Sequence, residues 1–224
     1  MARPSPANLR AFVRRHTRLV PVAGIPGIRL HQAIDVTEVW RAAGEELGQA
    51  DPPLPYWAFP WSGGLALAKH LLANPDEVVG KKVIDVAAGS GLCGIVAMRL
   101  GAASVKAVDI DPLAGAAVAL NARANDVRIG VSLRDILDDP FDGPEVVLAG
   151  DVAYEEDFAR RMAGFLERAT AAGSRVLLGD PGRRFLPTRL VPVGTYSVQT
   201  SAEIERTDLE EATVFTIVVE GNQA

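Results

Sequence analysis

The stretch that most constrains the fold is residues 83–94, Val-Ile-Asp-Val-Ala-Ala-Gly-Ser-Gly-Leu-Cys-Gly. A short apolar run ends there in a turn of small residues and continues as a helical pattern. The apolar run is typical of a buried parallel strand. Gly89 and Gly91 permit a positive φ and let a ligand approach the backbone, where a side chain would collide with it. We therefore predict a strand, a ligand-binding turn and a helix, in that order.

Two kinds of ligand are compatible with this turn. Gly89, Gly91 and Gly94 follow the G-x-G-x-x-G spacing of dinucleotide-binding units, and Asp109 lies twenty residues after Gly89. Asp85, at the end of the strand, favours a different ligand, because an ionised carboxylate repels a pyrophosphate and attracts an ammonium or sulfonium group. We expect the cationic ligand and keep NAD-dependent oxidoreduction as an alternative.

Residues 85–91, Asp-Val-Ala-Ala-Gly-Ser-Gly, resemble the first motif of the seven-β-strand methyltransferases that use S-adenosylmethionine. In that family the acidic residue and the glycines hold the methionine end of the cofactor. The resemblance implies S-adenosylmethionine as cofactor, S-adenosylhomocysteine as product, and cofactor contacts from Asp85, Ala87, Gly89 and Gly91. It also implies an α/β fold: a Rossmann-like seven-stranded sheet, mostly parallel with an antiparallel C-terminal strand, and helices on both faces.

Composition narrows the classes of function. The 224 residues suffice for one large domain with a substantial core, since 48% of them are hydrophobic. A formal net charge of −5 argues against a nucleic acid as the default partner, and no apolar run is long enough to span a membrane. The single cysteine, Cys93, excludes an internal disulfide. We expect no metal site, because the three histidines are scattered along the chain: His16, His31 and His70.

The first 34 residues contain six arginines and no acidic residue. The pattern of residues 6–18 predicts an amphipathic helix, and residues 18–22 and 28–33 predict a hairpin around a Gly-Ile-Pro-Gly turn. The basic surface is interpreted either as a solvated helix or as a docking surface for an acidic protein. Alanine and arginine richness points to a bacterial, cytoplasmic protein, and a eukaryotic form would belong in the mitochondrial matrix.

A second helix is predicted over residues 37–47, with Thr37 as its N-cap. The proline-rich residues 51–55 then break the chain. We place an N-terminal arm of helix, hairpin and helix, for substrate contact, at residues 1–55. The cofactor-binding core is predicted at residues 56–224. Within it, the pattern predicts an alanine-rich helix over residues 112–124 and a turn at residues 180–184 that either touches substrate or is solvated. Two late β-rich runs, at residues 196–204 and 213–219, suit an antiparallel end of the sheet.

Aromatic side chains cluster in residues 56–61, Tyr-Trp-Ala-Phe-Pro-Trp, just before Ser62, which we predict to cap the next helix. One interpretation is that these rings pack the arm on the core, and we prefer it for Phe59. Trp57 and Trp61 also suit a cofactor site, because electron-rich rings attract a sulfonium or ammonium cation.

Asp109, at the end of the predicted second strand, can accept hydrogen bonds from both ribose hydroxyls of a nucleoside cofactor. In methyltransferases of this class, an acid after the third strand accepts the adenine amino group, and the next residue offers its backbone amide. Asp135 and Ile136 match these roles by position. Asp138 and Asp139 are near enough to serve as alternatives.

Residues 56–67 resemble the segment before the first motif in seven-β-strand protein-lysine methyltransferases, in particular those of the electron-transfer-flavoprotein β-subunit. Asp151-Val-Ala-Tyr154 matches Asp-x-x-Tyr, a signature of the same group, instead of the Asn/Asp-Pro-Pro-aromatic pattern of enzymes that methylate amide or ring nitrogens. Ligands bind at the carboxyl ends of parallel strands, so this tetrad should border the transferable methyl group. A second interpretation, compatible with the first, makes Asp151 the cap of a helix over residues 155–172.

The resemblance implies a protein-lysine N-methyltransferase whose substrate is the electron-transfer-flavoprotein β-subunit. Asp151 would bind and aim the lysine nitrogen, and Tyr154 would line the lysine channel. The expected partner is therefore a protein substrate, with no nucleic acid and no membrane, and the chain is expected to act as a monomer. The alternatives are a small-molecule or protein-glutamine methyltransferase on the same fold and a non-catalytic cofactor-binding module.

Overall fold

The computed structural model describes residues 4–141, 143–200 and 209–218. The first elements are helix α1 (Pro6–His16), strands β1 (Thr17–Pro21) and β2 (Arg29–Ala33), and helix α2 (Val36–Leu47). The chain continues with α3 (Ser62–Ala73), β3 (Lys82–Val86), α4 (Leu92–Arg99), β4 (Ser104–Asp109), α5 (Pro112–Ala124), β5 (Gly130–Leu133), β6 (Val146–Gly150), α6 (Glu156–Ala171), β7 (Arg175–Asp180), β8 (Leu190–Gln199) and β9 (Leu209–Ile217). Within these ranges no helix is both long and apolar enough to cross a membrane.

Seven strands form one sheet in the order β5-β4-β3-β6-β7-β9-β8. Strand β3 pairs in parallel with β4 and β6, whereas β9 runs antiparallel to both β7 and β8. The strand order reverses at β3, since β4 and β5 lie on one side of it and β6 and β7 on the other. Such a reversal opens a crevice at the carboxyl ends of the strands. The predicted sheet, mostly parallel with an antiparallel C-terminal strand, is confirmed.

Alternation along β3 divides the core between the two faces of the sheet. Val83 belongs to an apolar cluster that includes Leu67 of α3 and Ile95 of α4. Its neighbour Ile84 belongs to a second cluster, which includes Phe165 of α6. Helices therefore cover both faces, as predicted, and the ends of the parallel strands remain available for a ligand.

The N-terminal arm packs on α5, where it is held by the side chains of Asn121 in α5 and of Asn125, the residue that caps the end of this helix. Asn125 accepts the N–H of Arg29 at 2.9 Å and donates to the Arg29 carbonyl at 2.6 Å. Asn121 accepts the N–H of His31 at 2.8 Å and donates to the carbonyl of Ser90 at 2.9 Å. Asn121 therefore links the arm to the loop after β3. A role of the arm in substrate contact stays a prediction.

Two predicted helix caps were wrong. Asp35, and not Thr37, caps α2, because its carboxylate accepts a backbone N–H of the first turn at 2.9 Å. Aspartate is as good an N-cap as threonine, so the correct choice lay two residues earlier. Helix α3 begins at Ser62 itself, with Trp61 in the cap position and no capping bond from its side chain. The Ser62 hydroxyl instead donates to the carboxylate of Glu210.

The first strand of the C-terminal pair, β8 and β9, begins earlier than the sequence predicted. Strand β8 begins at Leu190, whereas its β-rich run was predicted from Tyr196 onward. The sequence did not predict this part of the strand, because Pro192 and Gly194 are residue types that are rare in strand interiors. The two residues flank an irregularity in the pairing with β9. Positions 201–204 of the predicted run lie outside the described residues.

Candidate active site

A cavity of about 400 Å³ opens at the carboxyl ends of strands β3, β4, β5 and β6. Its walls contain ten residues predicted for cofactor binding or catalysis, which are Trp57, Trp61, Asp85, Ala87, Gly89, Asp109, Asp135, Ile136, Asp151 and Tyr154. Gly91 was also predicted but is not part of the wall. A Cβ there would lie 3.0 Å from Val118 Cγ2, so this glycine makes room for helix α5. The fold therefore gathers residues from separate strands into one site.

The loop after β3 is a tight backbone turn held by Asp109. Ala87, Gly89 and Gly91 have φ values of 51°, 51° and 78°, in the left-handed region. Asp109 Oδ2 accepts the N–H of Gly89 at 2.9 Å, and its Oδ1 accepts the N–H of Asp111 at 3.0 Å. Burial raises the pKa of Asp109, although these backbone bonds act in the opposite direction. An ionised carboxylate has about four acceptor positions, so Asp109 can still accept a ribose hydroxyl beside its backbone bonds.

Asp85 lies beneath this loop and is only 2% exposed. Its Oδ2 accepts the N–H of Gly94, in the first turn of α4, at 2.9 Å. Burial raises the pKa of Asp85 to about 7, and the bond from Gly94 counteracts part of that shift. A dinucleotide would place its pyrophosphate at this helix N-terminus. Because Asp85 already uses a backbone N–H there, a second anion is disfavoured and a cation is favoured.

Asp151 lies directly after β6 with a φ of 55°, an uncommon conformation for a residue with a side chain. Its Oδ2 accepts the N–H of Gly64, at the amino end of α3, at 2.8 Å. Its Oδ1 accepts a hydrogen bond from Nη2 of Arg183 at 3.0 Å. Burial raises the pKa of Asp151 to about 6, against the opposing influence of Arg183 and of the backbone N–H groups. The carboxylate is therefore buried, fixed and already paired with one cation.

The interpretation of Asp151 as the cap of α6 was wrong. Helix α6 begins at Glu156, and the side chain of Glu155 accepts the N–H groups of Asp157 and Phe158 at 3.0 and 2.9 Å. A glutamate is an unusual cap, which explains why the sequence pointed to the aspartate instead. Asp151 is consequently directed to the cavity and to α3.

Aromatic rings form one wall of the cavity near Asp151. The ring centroid of Tyr154 lies 5.0 Å from that of Tyr56 and 5.3 Å from that of Phe158. Trp61 lies 5.6 Å from Tyr56 and donates its indole N–H to the Tyr56 carbonyl at 2.8 Å. Tyr154 is 43% exposed, and burial of its hydroxyl raises the pKa to about 12. This wall can surround the apolar stem of a lysine side chain.

Trp57 contributes both to the apolar core and to the wall of the cavity. Only 1% of it is exposed, and it belongs to the apolar cluster that joins the arm to α5, as the packing interpretation expected. It also lines the cavity, and its indole nitrogen is buried without a hydrogen-bond partner in the described structure. Trp57 is thus both a core residue and a part of the site.

The position predicted for the adenine ring follows β5. Asp135 Oδ1 accepts the N–H of Leu137 at 3.0 Å, and its Oδ2 pairs with Nη2 of Arg161 at 2.9 Å. The bond from Leu137 and then the pairing with Arg161 lower the pKa of Asp135. Asp135 lines the cavity, whereas the alternatives Asp138 and Asp139 form ion pairs outside its wall.

The sequence interpretation left the role of residues 180–184 open between substrate contact and a solvated turn. The structure places Arg183 in the cavity wall beside Asp151, with its guanidinium carbon 6.0 Å from the ring centroid of Trp61. Arg184 lies outside the cavity, against Phe185. No pattern in the sequence distinguishes the two arginines, because only the conformation of the turn decides which one faces the site.

The sheet order, the glycine-rich loop after β3 and the aspartate that ends β4 define a class I methyltransferase of the S-adenosylmethionine-dependent kind. A solved structure from Pyrococcus horikoshii, described as an RNA methyltransferase, shares this fold with a TM-score of 0.53 at 20% identity. The match covers 83% of this chain and 98% of that one. A model of the ribosomal protein L11 methyltransferase (PrmA) family matches residues 69–152.

Similarity in sequence makes the assignment more specific. The human electron transfer flavoprotein beta subunit lysine methyltransferase is 34% identical over 216 residues, which cover 93% of this chain and 81% of that protein. Its Xenopus laevis counterpart is 34% identical over 213 residues, covering 92% and 85% of the two chains. The chain belongs to this family of lysine methyltransferases, which confirms the resemblance found in the sequence.

Proposed function

We propose that this protein uses S-adenosylmethionine to methylate lysine side chains in the β subunit of electron transfer flavoprotein. One observation carries the proposal. The chain belongs to the lysine methyltransferase family, and its Asp151 and Tyr154 lie in the wall of the same cavity as the glycine-rich loop. A lysine that enters beside these two residues would meet the methionine end of a cofactor lying along that loop.

The residues around the cavity fit this cofactor. S-adenosylmethionine supplies, when bound, a methyl group on a positively charged sulfur. Asp85 and the open backbone at Gly89 would hold its methionine end. Apart from the two neighbours of Gly89 in the chain, no atom of the described residues lies closer than 3.8 Å to the position of a Cβ on this glycine. Asp109 would hold the ribose, and Asp135 with Ile136 would hold the adenine.

The lysine amine must lose its proton before it can attack. Its reference pKa is about 10.4, so in water at neutral pH it is an ammonium without a free electron pair. Loss of water around the amine inside the cavity disfavours its charged form; a shift of about 3 pKa units corresponds to about 4 kcal/mol. Asp151 would aim the nitrogen, while the proton passes to water.

Intact-mass spectrometry tests the proposal. The purified protein is incubated with S-adenosylmethionine and the β subunit of electron transfer flavoprotein, and peptide mapping locates added methyl groups. Methyl-lysine on this subunit is the expected result. Ribosomal protein L11 serves as a second substrate, because the PrmA family model matches residues 69–152. Methylation of L11 alone, or of neither protein, would contradict the proposal.

We also propose that the protein acts as a monomer. What supports this is that residues of a single chain line one continuous cavity, from the loop after β3 to Asp151 and Tyr154. Light scattering coupled to size-exclusion chromatography should give a mass near 23.7 kDa at working concentrations. A stable dimer, with activity that falls on dilution, would contradict this.

A further inference from the structure

A fixed positive charge stands beside Asp151. Nη2 of Arg183 lies 3.0 Å from Asp151 Oδ1, and the Arg183 side chain is 25% exposed. Two other arginines line the described part of the cavity wall. Arg134 and Arg161 pair with acidic residues after β5, at the end predicted to receive the adenine. Arg183 is therefore the guanidinium positioned where a substrate lysine would approach Asp151.

The turn that carries Arg183 is built to hold it there. Asp180, at the end of β7, is fully buried, and its Oδ1 accepts the N–H groups of Gly182 and Arg183 at 2.7 and 2.6 Å. Gly182 has a φ of 96°, which a residue with a side chain rarely adopts. The backbone of this turn is thereby fixed, and the guanidinium lies over the ring of Trp61.

Arg183 changes what an incoming lysine encounters. An isolated buried carboxylate would attract the ammonium form of lysine and raise its pKa, which opposes the proton loss that transfer requires. A neighbouring cation has the opposite effect, and enzymes use it to activate lysine amines. The paired Asp151 and Arg183 present almost no net charge to the substrate.

We propose that Arg183 is a positioning residue that holds Asp151 and, by its own charge, favours the neutral, nucleophilic form of the substrate lysine. The inference rests on the proposed lysine methylation and deepens it. The proton released by the amine goes to water, so no further acid or base is required. Among the described residues, the titratable groups that interact with Arg183 or line the wall beside it are Tyr56, Cys93, Asp151, Tyr154 and Asp180.

The pH dependence of the rate separates this role from a merely structural one. In Arg183→Met the amine becomes more basic, so we expect the rising limb of kcat against pH to move upward by about one unit or more. At pH 7.5 kcat should fall about tenfold, whereas KM for the protein substrate should stay unchanged or decrease. Arg183→Lys keeps a positive charge and should restore most of the wild-type profile.

Arg184→Met is the matched control, because Arg184 lies outside the cavity. The pH profile of kcat in this variant should equal that of the wild type. A second readout needs no turnover. Carbon-13 NMR titration of the Asp151 carboxyl should show a higher pKa in Arg183→Met than in the wild type, because the attraction of the guanidinium is lost. It also reports directly on whether the variant is folded.

Identical pH profiles and an identical Asp151 pKa in Arg183→Met and Arg184→Met would overturn the inference. Failure of the proposed function looks different, because the wild-type protein itself would then yield no methyl-lysine. A folded Arg183→Lys variant with the profile of Arg183→Met would likewise contradict a role for the positive charge.

Discussion

Asp151 Oδ2 lies 2.8 Å from the backbone nitrogen of Gly64, so the acid predicted to aim the substrate lysine is anchored on the first turn of α3. The end of β6, the start of α3 and strand β7 approach one another very closely here. A Cβ on Gly63 would lie 2.1 Å from the carbonyl oxygen of Gly179, which itself accepts the N–H of Asp151 at 2.9 Å. The position of the carboxylate is therefore set by the packing of the core.

Replacing Asp151 separates transfer from cofactor binding. Asp151→Asn retains the size of the side chain but loses the charge, so we expect kcat to fall by about 100-fold, a loss typical of removing one preorganised polar group. The affinity for S-adenosylhomocysteine, measured by calorimetry, should change less than about threefold. Asp157→Asn is the control, because Asp157 is an exposed acid on α6 that pairs only with Arg160 among the described residues. Wild-type transfer in Asp151→Asn would remove this residue from the mechanism.

Tyr154 should act through its ring and not through its hydroxyl. Its pKa of about 12 keeps the phenol protonated across the working range, so it cannot serve as the base. We expect Tyr154→Phe to stay within about threefold of wild-type kcat/KM and to keep the same pH profile. Tyr154→Ala opens the aromatic wall, and KM for the protein substrate should rise about tenfold, the cost of losing one aromatic contact. Equal losses in both variants would show that the hydroxyl is needed.

The attachment of the arm predicts a stability effect. Asn125→Ala leaves the N–H and the carbonyl of Arg29 without their partners, which should lower the free energy of unfolding by about 2 kcal/mol. Asn8→Ala is the matched control, because it makes the same substitution at an exposed side chain of α1, whereas Asn125 is buried. Urea denaturation followed by circular dichroism measures both. Two variants of equal stability would mean that these bonds do not hold the arm.

The sequence predicted elements best where one local pattern determined the structure. Helix α5 was expected at residues 112–124 and lies at Pro112–Ala124, because a proline begins it and alanines sustain it. The glycine-rich loop was predicted equally well, because Gly89 and Gly91 adopt the positive φ values that glycine permits.

Features that depend on contacts between residues far apart in the sequence could not be predicted from the sequence. The capping carboxylate at the start of α3 belongs to Asp151, far along the chain, so Ser62 was wrongly chosen as the cap. The same holds for Arg183, whose place in the site depends on a turn held by Asp180. Asn121 and Asn125 carried no motif, because their partners lie on the backbone of the arm.

Asp85 predicts how cofactor binding depends on pH. Its pKa in the folded protein is raised from 3.8 to about 7, so the carboxyl is mostly neutral below pH 7 and ionised above it. A cationic ligand favours the ionised form, and the affinity for S-adenosylmethionine should therefore rise about tenfold between pH 6 and pH 8. Asp85→Asn should bind more weakly at pH 8 and lack the part of this dependence that comes from the carboxyl. Parallel pH dependences in the two proteins would exclude Asp85 as the titrating group.

The most direct test of the account asks which ligand the loop after β3 accepts. Isothermal titration calorimetry at pH 8 compares S-adenosylhomocysteine, S-adenosylmethionine and NAD on the same preparation. We predict saturable binding of both adenosyl ligands, tighter for the sulfonium form because of Asp85, and no detectable heat with NAD. Tight binding of NAD without binding of either adenosyl ligand would contradict the central claim.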